Sequence, residues 1–243
     1  MPAYKAATVI EQAIGSVLAQ TYQHWELLVS EDCGPDDTRA IVRKMAEQDR
    51  RIVLIEAQRN GGPAAARNLS LRAAEGRWIA FLDSDDTWLP EKLERQLSFH
   101  SAHPGAVLSY TSFRRIDETG TDIGHKVTIP PVLSYRGLLG NTAIATSTVI
   151  VDRQVAGSFR MERTYYDDFV CWLMLLKRHG QAIGLGEDLM RYRVMAQSVS
   201  RNKLRSMHEV WKTYRHNIQI GPLASLWYFT RYTVNAALKY RRF

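Results

Sequence analysis

An unbroken apolar run, Trp78-Ile79-Ala80-Phe81-Leu82, ends directly in Asp83-Ser84-Asp85-Asp86. The run predicts a buried strand, and the quartet then sets three carboxylates at its exit. Like charges repel and a buried charge needs a partner, so any fold that buries this strand must also supply a counter-charge. Hard divalent cations such as Mg²⁺ and Mn²⁺ favour oxygen ligands. A metal at the carboxyl end of the strand, in the company of a phosphate or diphosphate, is therefore the first expectation. The plainer alternative is a solvated turn leading to a helix cap near Thr87.

The residues before the quartet alternate between strand and helix signals at short period. Ile10, Ile14, Val17 and Leu18 recur at helical spacing and predict a helix over 6–20. Trp25–Val29 reads as a strand, Asp36–Met45 as a helix and Ile52–Ile55 as a second strand. Pro63 then opens a helix that runs to Ala74, and Gly76 stops it. This alternation predicts an α/β fold with a mostly parallel sheet flanked by helices. The chain opens on Pro2-Ala3-Tyr4, read as a turn, and goes straight into a helix. A doubly wound sheet places a strand before such a turn, so the first strand is expected to be missing or truncated. After Pro104 the pattern changes: Val107–Arg114 and Thr146–Val151 read as strands, and Tyr166–Arg178 as a helix with Trp172 on its apolar side. The expected organisation is a domain over 1–203, divided into a nucleotide-binding half (1–104) and an acceptor-binding half (105–203), followed by a basic amphipathic helical tail at 204–243.

Charge separates that tail from the rest. The net charge is +7, but Arg201 to Phe243 holds nine Lys/Arg and one acid, Glu209, so this stretch carries +8 and the first 200 residues −1. Such a tail suits an anionic surface; nucleic acid is disfavoured because the body is nearly neutral. Leu223, Leu226, Trp227, Val234 and Leu238 fall near helical spacing, so the tail is expected either to lie on an anionic membrane surface or to pack back on the domain. The two cysteines, Cys33 and Cys171, are too few for a disulfide framework and have no metal-ligand spacing. With no signal-peptide build at the start and no apolar run of ~18 residues, a cytoplasmic protein is expected, with peripheral membrane contact as the alternative.

In open α/β sheets ligands bind outside the carboxyl ends of the strands. Four segments occupy that position: Pro2-Ala3-Tyr4, Glu31-Asp32, the Asn60–Arg67 loop and helix start, and Asp83–Asp86. Tyr4 offers an aromatic face to a base, Asp32 can accept from an imide N–H, and Arg67 can face a diphosphate. The acidic cluster can hold a metal and a ribose hydroxyl. Together they outline a nucleotide-sugar site.

These stretches, together with Ser16–Tyr22, Asp36-Asp37-Thr38 and Asn60–Asn68, resemble in order and spacing the family 2 glycosyltransferases of GT-A fold, over roughly residues 1–200. The resemblance points to enzymes of bacterial surface polysaccharides, of teichuronic-acid or O-antigen type. It implies transfer of a sugar, with inversion, from a nucleotide-diphosphate donor, a UDP-sugar, to a glycan or lipid-linked acceptor, with Mn²⁺ or Mg²⁺ as cofactor. Tyr4 and Asp32 are then expected at the uracil, and Pro2 among the nucleotide-binding residues. Glu31 stands where Asp is more usual, toward the ribose. Asp83, Asp85 and Asp86 cover the metal and ribose motif, with Asp85 on the ribose and shared with the metal, and Asp86 on the metal. Asp167-Asp168 takes the general-base place, with Asp168 as base and Asp167 as its neighbour. An inverting transfer needs one such carboxylate to take the acceptor proton; the plain alternative is acid at a helix N-terminus, favoured by the dipole. Arg201 or Lys203 is expected to reach the diphosphate.

Two other function classes fit single features. Asp83-Ser84-Asp85-Asp86-Thr87 after a buried strand also fits haloacid-dehalogenase-like phosphatases, with Asp83 as nucleophile. That motif belongs on a first strand, and some 80 residues precede it here. A non-catalytic binder driven by the basic tail is the third class.

Overall fold

The computed structural model describes residues 1–141, 144–195 and 203–240, with side chains from 205 to 235 in the last stretch. Its first part is parallel. Strands β1 (Pro2–Ala3), β2 (Leu27–Glu31) and β3 (Ile52–Glu56) form a sheet in the order β1-β2-β3. Between and after them run α1 (Ile10–Leu18), α2 (Thr38–Gln48) and α3 (Pro63–Ala73). The stretch 2–3, expected as a turn, pairs instead with Ser30 and Glu31. Main-chain bonds carry this pairing: Ser30 N–H donates to the Met1 carbonyl at 2.9 Å and Asp32 N–H to that of Ala3 at 2.9 Å. The first strand is thus present at a length of two residues.

The second sheet holds β4 (Trp78–Ala80), β5 (Thr87–Trp88), β6 (Leu108–Ile116), β7 (Asp122–Val127), β8 (Val132–Ser134), β9 (Ile150–Asp152) and β10 (Gln181–Arg193). Its order is β4-β9-β6-β10-β5, with β7 on β6 and β8 on β10. Helices α4 (Lys92–Ser101), α5 (Tyr135–Leu139), α6 (Arg153–Ala156) and α7 (Asp167–His179) accompany it. Among the described residues only β6 and β10 pair in parallel in this sheet; its other pairs are antiparallel. The second sheet is therefore mixed, beside a first sheet whose pairs are all parallel. At residues 117–120 a hairpin reverses the chain without a crossover and sets β7 antiparallel to β6, while β5, β8 and β9 enter antiparallel through other connections. In the hairpin Asp117 accepts from Thr119 N–H at 2.9 Å and Thr121 N–H at 3.0 Å, and Gly120 takes φ +93°. The strand expected over Thr146–Val151 divides into a single helical turn at Thr146–Thr148 and then β9.

Two apolar clusters hold these layers. One gathers Ile10, Ile14 and Val17 of α1 with Val29 and Ile150; the other gathers Trp172 and Leu173 of α7 with Tyr110, Val151 and Phe81. Burying one such side chain contributes roughly 1.5–3 kcal/mol. Phe81, which immediately precedes Leu82 and the acidic quartet, meets the Trp172 ring edge-on at 5.2 Å. That contact ties the exit of β4 to α7.

The tail folds back. After α8 (Lys203–Lys212) and a π-helical turn (Thr213–Asn217), α9 (Pro222–Tyr240) packs Tyr228, Phe229 and Tyr232 onto the second cluster. Tyr214 donates to the Leu139 carbonyl, and Asn235 to that of Gly140 at 2.8 Å. Among the described residues no helix is long and apolar enough to cross a membrane.

The Pro130-Pro131 loop crosses β10 at Gly184, whose N–H donates to the Pro131 carbonyl at 2.8 Å. A Cβ at this position would lie 2.2 Å from the Pro130 carbonyl oxygen, a backbone atom held in turn by the Tyr110 hydroxyl at 2.8 Å. Gly184→Ala is therefore expected to cost about 1–3 kcal/mol, seen as a fall in the thermal midpoint. An unchanged midpoint would show that the loop yields freely.

Candidate active site

Arg67 joins the two acidic segments. It sits on the first turns of α3, which Pro63 opens with the ring at N1. One terminal nitrogen donates to Asp83 at 2.6 Å and the other to Asp167 at 2.7 Å, with Arg67 and Asp167 both buried. Burial disfavours the Arg67 charge, but Asp83 and Asp167 more than offset it and hold the guanidinium protonated. Burial also pushes the Asp167 carboxyl up to about 6 against the pull of Arg67. The exit of β4 and the start of α7 are thereby drawn together from opposite halves of the sequence.

Asp168, next on α7, is half-buried and accepts from the Thr146 hydroxyl at 2.6 Å and from Phe169 N–H at 2.6 Å. Ser147 reaches the quartet: its hydroxyl donates to Asp86 at 2.5 Å and accepts from Asp83 N–H at 3.0 Å. One turn, Thr146–Thr148, thus touches both acidic segments. Reading the sequence as a plain strand missed it; the three consecutive hydroxyl residues before Val149-Ile150-Val151 were the signal.

Within the quartet the three carboxylates differ. Asp86, expected at a metal, is only 2% exposed. One of its oxygens accepts from Arg193 N–H at 2.9 Å and the other from Ser147. Burial first, then Asp85 and Asp83, push its carboxyl well above the usual range. Both Asp86 oxygens are engaged inside the protein, whereas Asp83 and Asp85 keep part of their surface exposed. Burial and the Asp83 charge push the Asp85 carboxyl up to about 6, which marks a place short of positive charge. Among the described residues no group of three or more His, Cys, Asp or Glu is arranged to hold an ion. Two carboxylates nonetheless fit Mg²⁺ or Mn²⁺ in a phosphate site, where water and substrate oxygens supply the remaining ligands.

Arg193 at the end of β10 is the second residue that sequence reading left without a role. Its side chain donates to the carbonyls of Asp85 at 2.8 Å, Glu118 at 3.0 Å and Asp117 at 3.2 Å, and to Gln12 Oε1 at 2.7 Å. It fastens the quartet loop to the β6–β7 hairpin and to α1.

The expected nucleotide contacts fall into two groups. Tyr4 stands 46% exposed just beyond Pro2–Ala3, open to a base. Glu31 and Asp32 are spent on the protein itself. Glu31 is fully buried, accepts two bonds from Arg39 at 2.9 and 3.1 Å, and accepts from Gly34 N–H at 2.5 Å. A ribose would have to displace these, so the geometry gives Glu31 to the 31–39 loop. Asp32 accepts from Gly61 N–H at 2.8 Å and Gly62 N–H at 2.7 Å, and its carbonyl accepts from Asn60 at 2.9 Å. It shapes the turn that opens α3, where Gly62 takes φ +80°, and so sets the direction of Arg67. Arg201 and the side chain of Lys203 lie outside the described residues.

The sequence matches the model of Glycosyl transferase family 2 over residues 1–166. It is 38% identical over 240 residues to TuaG of Bacillus subtilis (strain 168), a candidate teichuronic acid biosynthesis glycosyltransferase, covering 98% of this chain and 94% of that protein. It is 36% identical over 235 residues to WfgD of Escherichia coli, a UDP-Glc:alpha-D-GlcNAc-diphosphoundecaprenol beta-1,3-glucosyltransferase, covering 96% and 90%. Among solved structures, S. aureus TarS 1–349 in complex with UDP-GlcNAc superposes with a TM-score of 0.71 at 16% identity, over 96% of this chain and 70% of that one. PcManGT, a mannosyltransferase of Pyrobaculum calidifontis in complex with GDP-Man and Mn²⁺, gives 0.71 at 18% identity, over 98% and 72%. These two share the GT-A fold with this chain. Since the family model spans more than half of the sequence and the relatives run along nearly all of it, the chain belongs to glycosyl transferase family 2.

Proposed function

We propose that this glycosyltransferase moves a sugar from a UDP-sugar to a glycan or lipid-linked glycan, with inversion, in the synthesis of a surface polysaccharide. The observation that carries the reading is Arg67, which bonds Asp83 and Asp167 at once and so sets a candidate diphosphate-and-metal corner beside a candidate base. WfgD, named for a UDP-Glc donor and a diphosphoundecaprenol acceptor, and TarS, solved with UDP-GlcNAc, support the choice of donor and acceptor class. In this reading residues 1–104 bind the donor, 105–203 the acceptor, and 204–243 form an accessory tail.

The chemistry assigns one task to each group. Asp168 takes the proton of the acceptor hydroxyl while that oxygen bonds to the anomeric carbon. The bond from that carbon to the diphosphate breaks, and the nucleoside diphosphate leaves with the electron pair. Thr146 and the α7 N-terminus hold the Asp168 carboxylate in one orientation. Asp167 anchors Arg67. Tyr4 packs on the base beside Pro2, with Asp32 at the rim. Asp85 and Asp83 would hold Mn²⁺ or Mg²⁺, which when bound stabilises the charge on the departing diphosphate; the Mn²⁺ of PcManGT supports a divalent cation. The phosphohydrolase alternative has no such support among the relatives.

A cytoplasmic enzyme resting on the inner membrane face fits the tail. On α9, opposite the packed tyrosines, Leu223 is 83% and Trp227 62% exposed, with Leu226 and Val234 beside them on a basic segment.

Three measurements test this reading. In calorimetric titrations with Mn²⁺ present, UDP should bind more tightly than GDP or CDP. Asp85→Asn should abolish the Mn²⁺ dependence, whereas Asp86→Asn should keep it, because an amide can accept from Arg193 N–H and donate to Ser147. Loss of the dependence in Asp86→Asn alone would return the metal to Asp86. Asp168→Asn should lower sugar transfer about 10²–10⁴-fold with UDP affinity unchanged. Near-full turnover by that variant would remove Asp168 from the role of base.

A further inference from the structure

The Thr146–Thr148 turn sets one hydroxyl on each acidic segment, yet it is a single short turn. Its internal bonds run from Thr148 N–H to the Ala145 carbonyl and from Val149 N–H to the Thr146 carbonyl, both at 3.0 Å. A lone 3₁₀ turn has poor bond geometry and is weakly held by itself, so its place must be set from outside. Ser147 is 1% and Thr148 0% exposed. Their main-chain carbonyls therefore need donors from the protein.

Two side chains of one neighbouring segment supply such donors. The Trp88 indole N–H, on β5, donates to the Ser147 carbonyl at 2.8 Å. The Gln96 amide nitrogen, on α4, donates to the Thr148 carbonyl at 2.9 Å and to the Ser109 hydroxyl on β6 at 3.1 Å. The Val149 carbonyl, next along, accepts from Phe81 N–H at 3.1 Å beside the exit of β4. The turn is thus gripped at successive carbonyls from α4, β5 and the β4 exit.

Trp88 and Gln96 are themselves fixed. Trp88 N–H donates to the Ser16 hydroxyl of α1 at 3.1 Å, and the fully buried Lys92 amino group lies 3.8 Å over the centre of the indole ring. Gln20, just after α1, clasps the β5–α4 junction: its nitrogen donates to the Leu89 carbonyl at 2.8 Å and its oxygen accepts from Leu93 N–H at 2.9 Å. These bonds carry the position of α1 through α4 to the turn. Gln96 is completely buried. A buried amide is costly unless its bonds offset the loss of water, so plain packing would be better served by an apolar side chain of the same length.

We propose that Gln96 and Trp88 are positioning residues for sugar transfer, which hold the carbonyls of Thr148 and Ser147 so that the turn presents Thr146 to Asp168 and Ser147 to the acidic quartet. This rests on the reading of Asp168 as the base. Among the described residues neither side chain bonds an acidic residue of the site, so their effect passes through the turn. Thr146 donates to Asp168, and Ser147 donates to Asp86 while accepting from Asp83 N–H. Displacing the turn therefore moves the base and the quartet together, and transfer is steeply sensitive to such misplacement.

The test is a double-mutant cycle in the full chain. Gln96→Met keeps the length and removes the donor; Trp88→Phe removes the indole N–H; Thr146→Val removes the hydroxyl from Asp168. Each is expected to lower kcat, at saturating donor and metal, about tenfold or more. Added to Thr146→Val, Gln96→Met is expected to lower kcat by less than about twofold further, because both act through the same bond. Leu93→Ala, on the same helix but without a bond to the turn, is the control: it should lower the thermal midpoint at least as much and leave kcat within about twofold. Amide exchange at Asp83, whose N–H is held by the Ser147 hydroxyl at 3.0 Å, should quicken about tenfold in Gln96→Met and Trp88→Phe but not in Leu93→Ala. Losses that multiply in the double variant would overturn the proposal. So would a loss of kcat in Leu93→Ala equal to that in Gln96→Met, or Asp83 exchange that responds to neither Gln96→Met nor Trp88→Phe. If Gln96→Met does not fold, Trp88→Phe decides by the same cycle. The exchange measurement needs no sugar donor. A wild-type chain that transfers no sugar would sink the reading of the active site, while exchange at Asp83 would still decide whether Gln96 and Trp88 hold the turn.

Discussion

A single buried guanidinium organises this molecule. Arg67 is bonded to Asp83, where β4 ends, and to Asp167, where α7 begins, across a sequence separation of 100 residues in the second case. Taking the Arg67 and Asp167 charges out of water is costly, and removing one member of a buried pair typically costs about 3–5 kcal/mol because the other is left uncompensated. The triad therefore gains its stability only when β4, α3 and α7 are all in place. The Phe81–Trp172 contact supplies the apolar part of the same junction. Stability and site geometry are here one constraint: whatever holds Arg67 also sets where the two acidic segments face each other.

Around that centre the polar groups divide into those that face a ligand space and those that hold the loops. Asp86, Glu31 and Asp32 have the chemistry of ligand-binding residues, yet each spends its oxygens on main-chain N–H groups or on a protein side chain. Each closes a loop next to a strand exit: Asp86 the quartet, Glu31 the 31–39 segment, Asp32 the 60–62 turn. Tyr4, Asp85 and Asp168 keep at least part of their surface open. Buried carboxylates thus brace the rim on which the accessible ones stand. Thr146, Ser147 and Arg193 do the same from the second sheet.

Much of the architecture was legible before folding, because it is written in short-range patterns. The helix at Ile10, the helix opened by Pro63 and the strand before Asp83 follow from periodicity and turn chemistry within a few residues. Strand–helix alternation was a sound guide up to Pro104. Beyond it a hairpin at 117–120 adds β7 to β6, and β9 enters antiparallel between β4 and β6, so the second sheet is mixed. The two-residue strand at Pro2–Ala3 could not be seen either, since a strand that short exists only through its partner, β2.

For the candidate site, the sequence alone determined which residue types stand at the strand exits and at the start of α7, since these follow from position along the chain. It also determined the charge contrast between body and tail. Only the tertiary structure decided which carboxylates are spent and which remain open. The partners of Asp86 lie 61 and 107 residues away, at Ser147 and Arg193, and no local pattern encodes them. A carboxylate's role depends on burial and on its hydrogen-bond donors, and both are properties of neighbours that the chain brings together only when it folds.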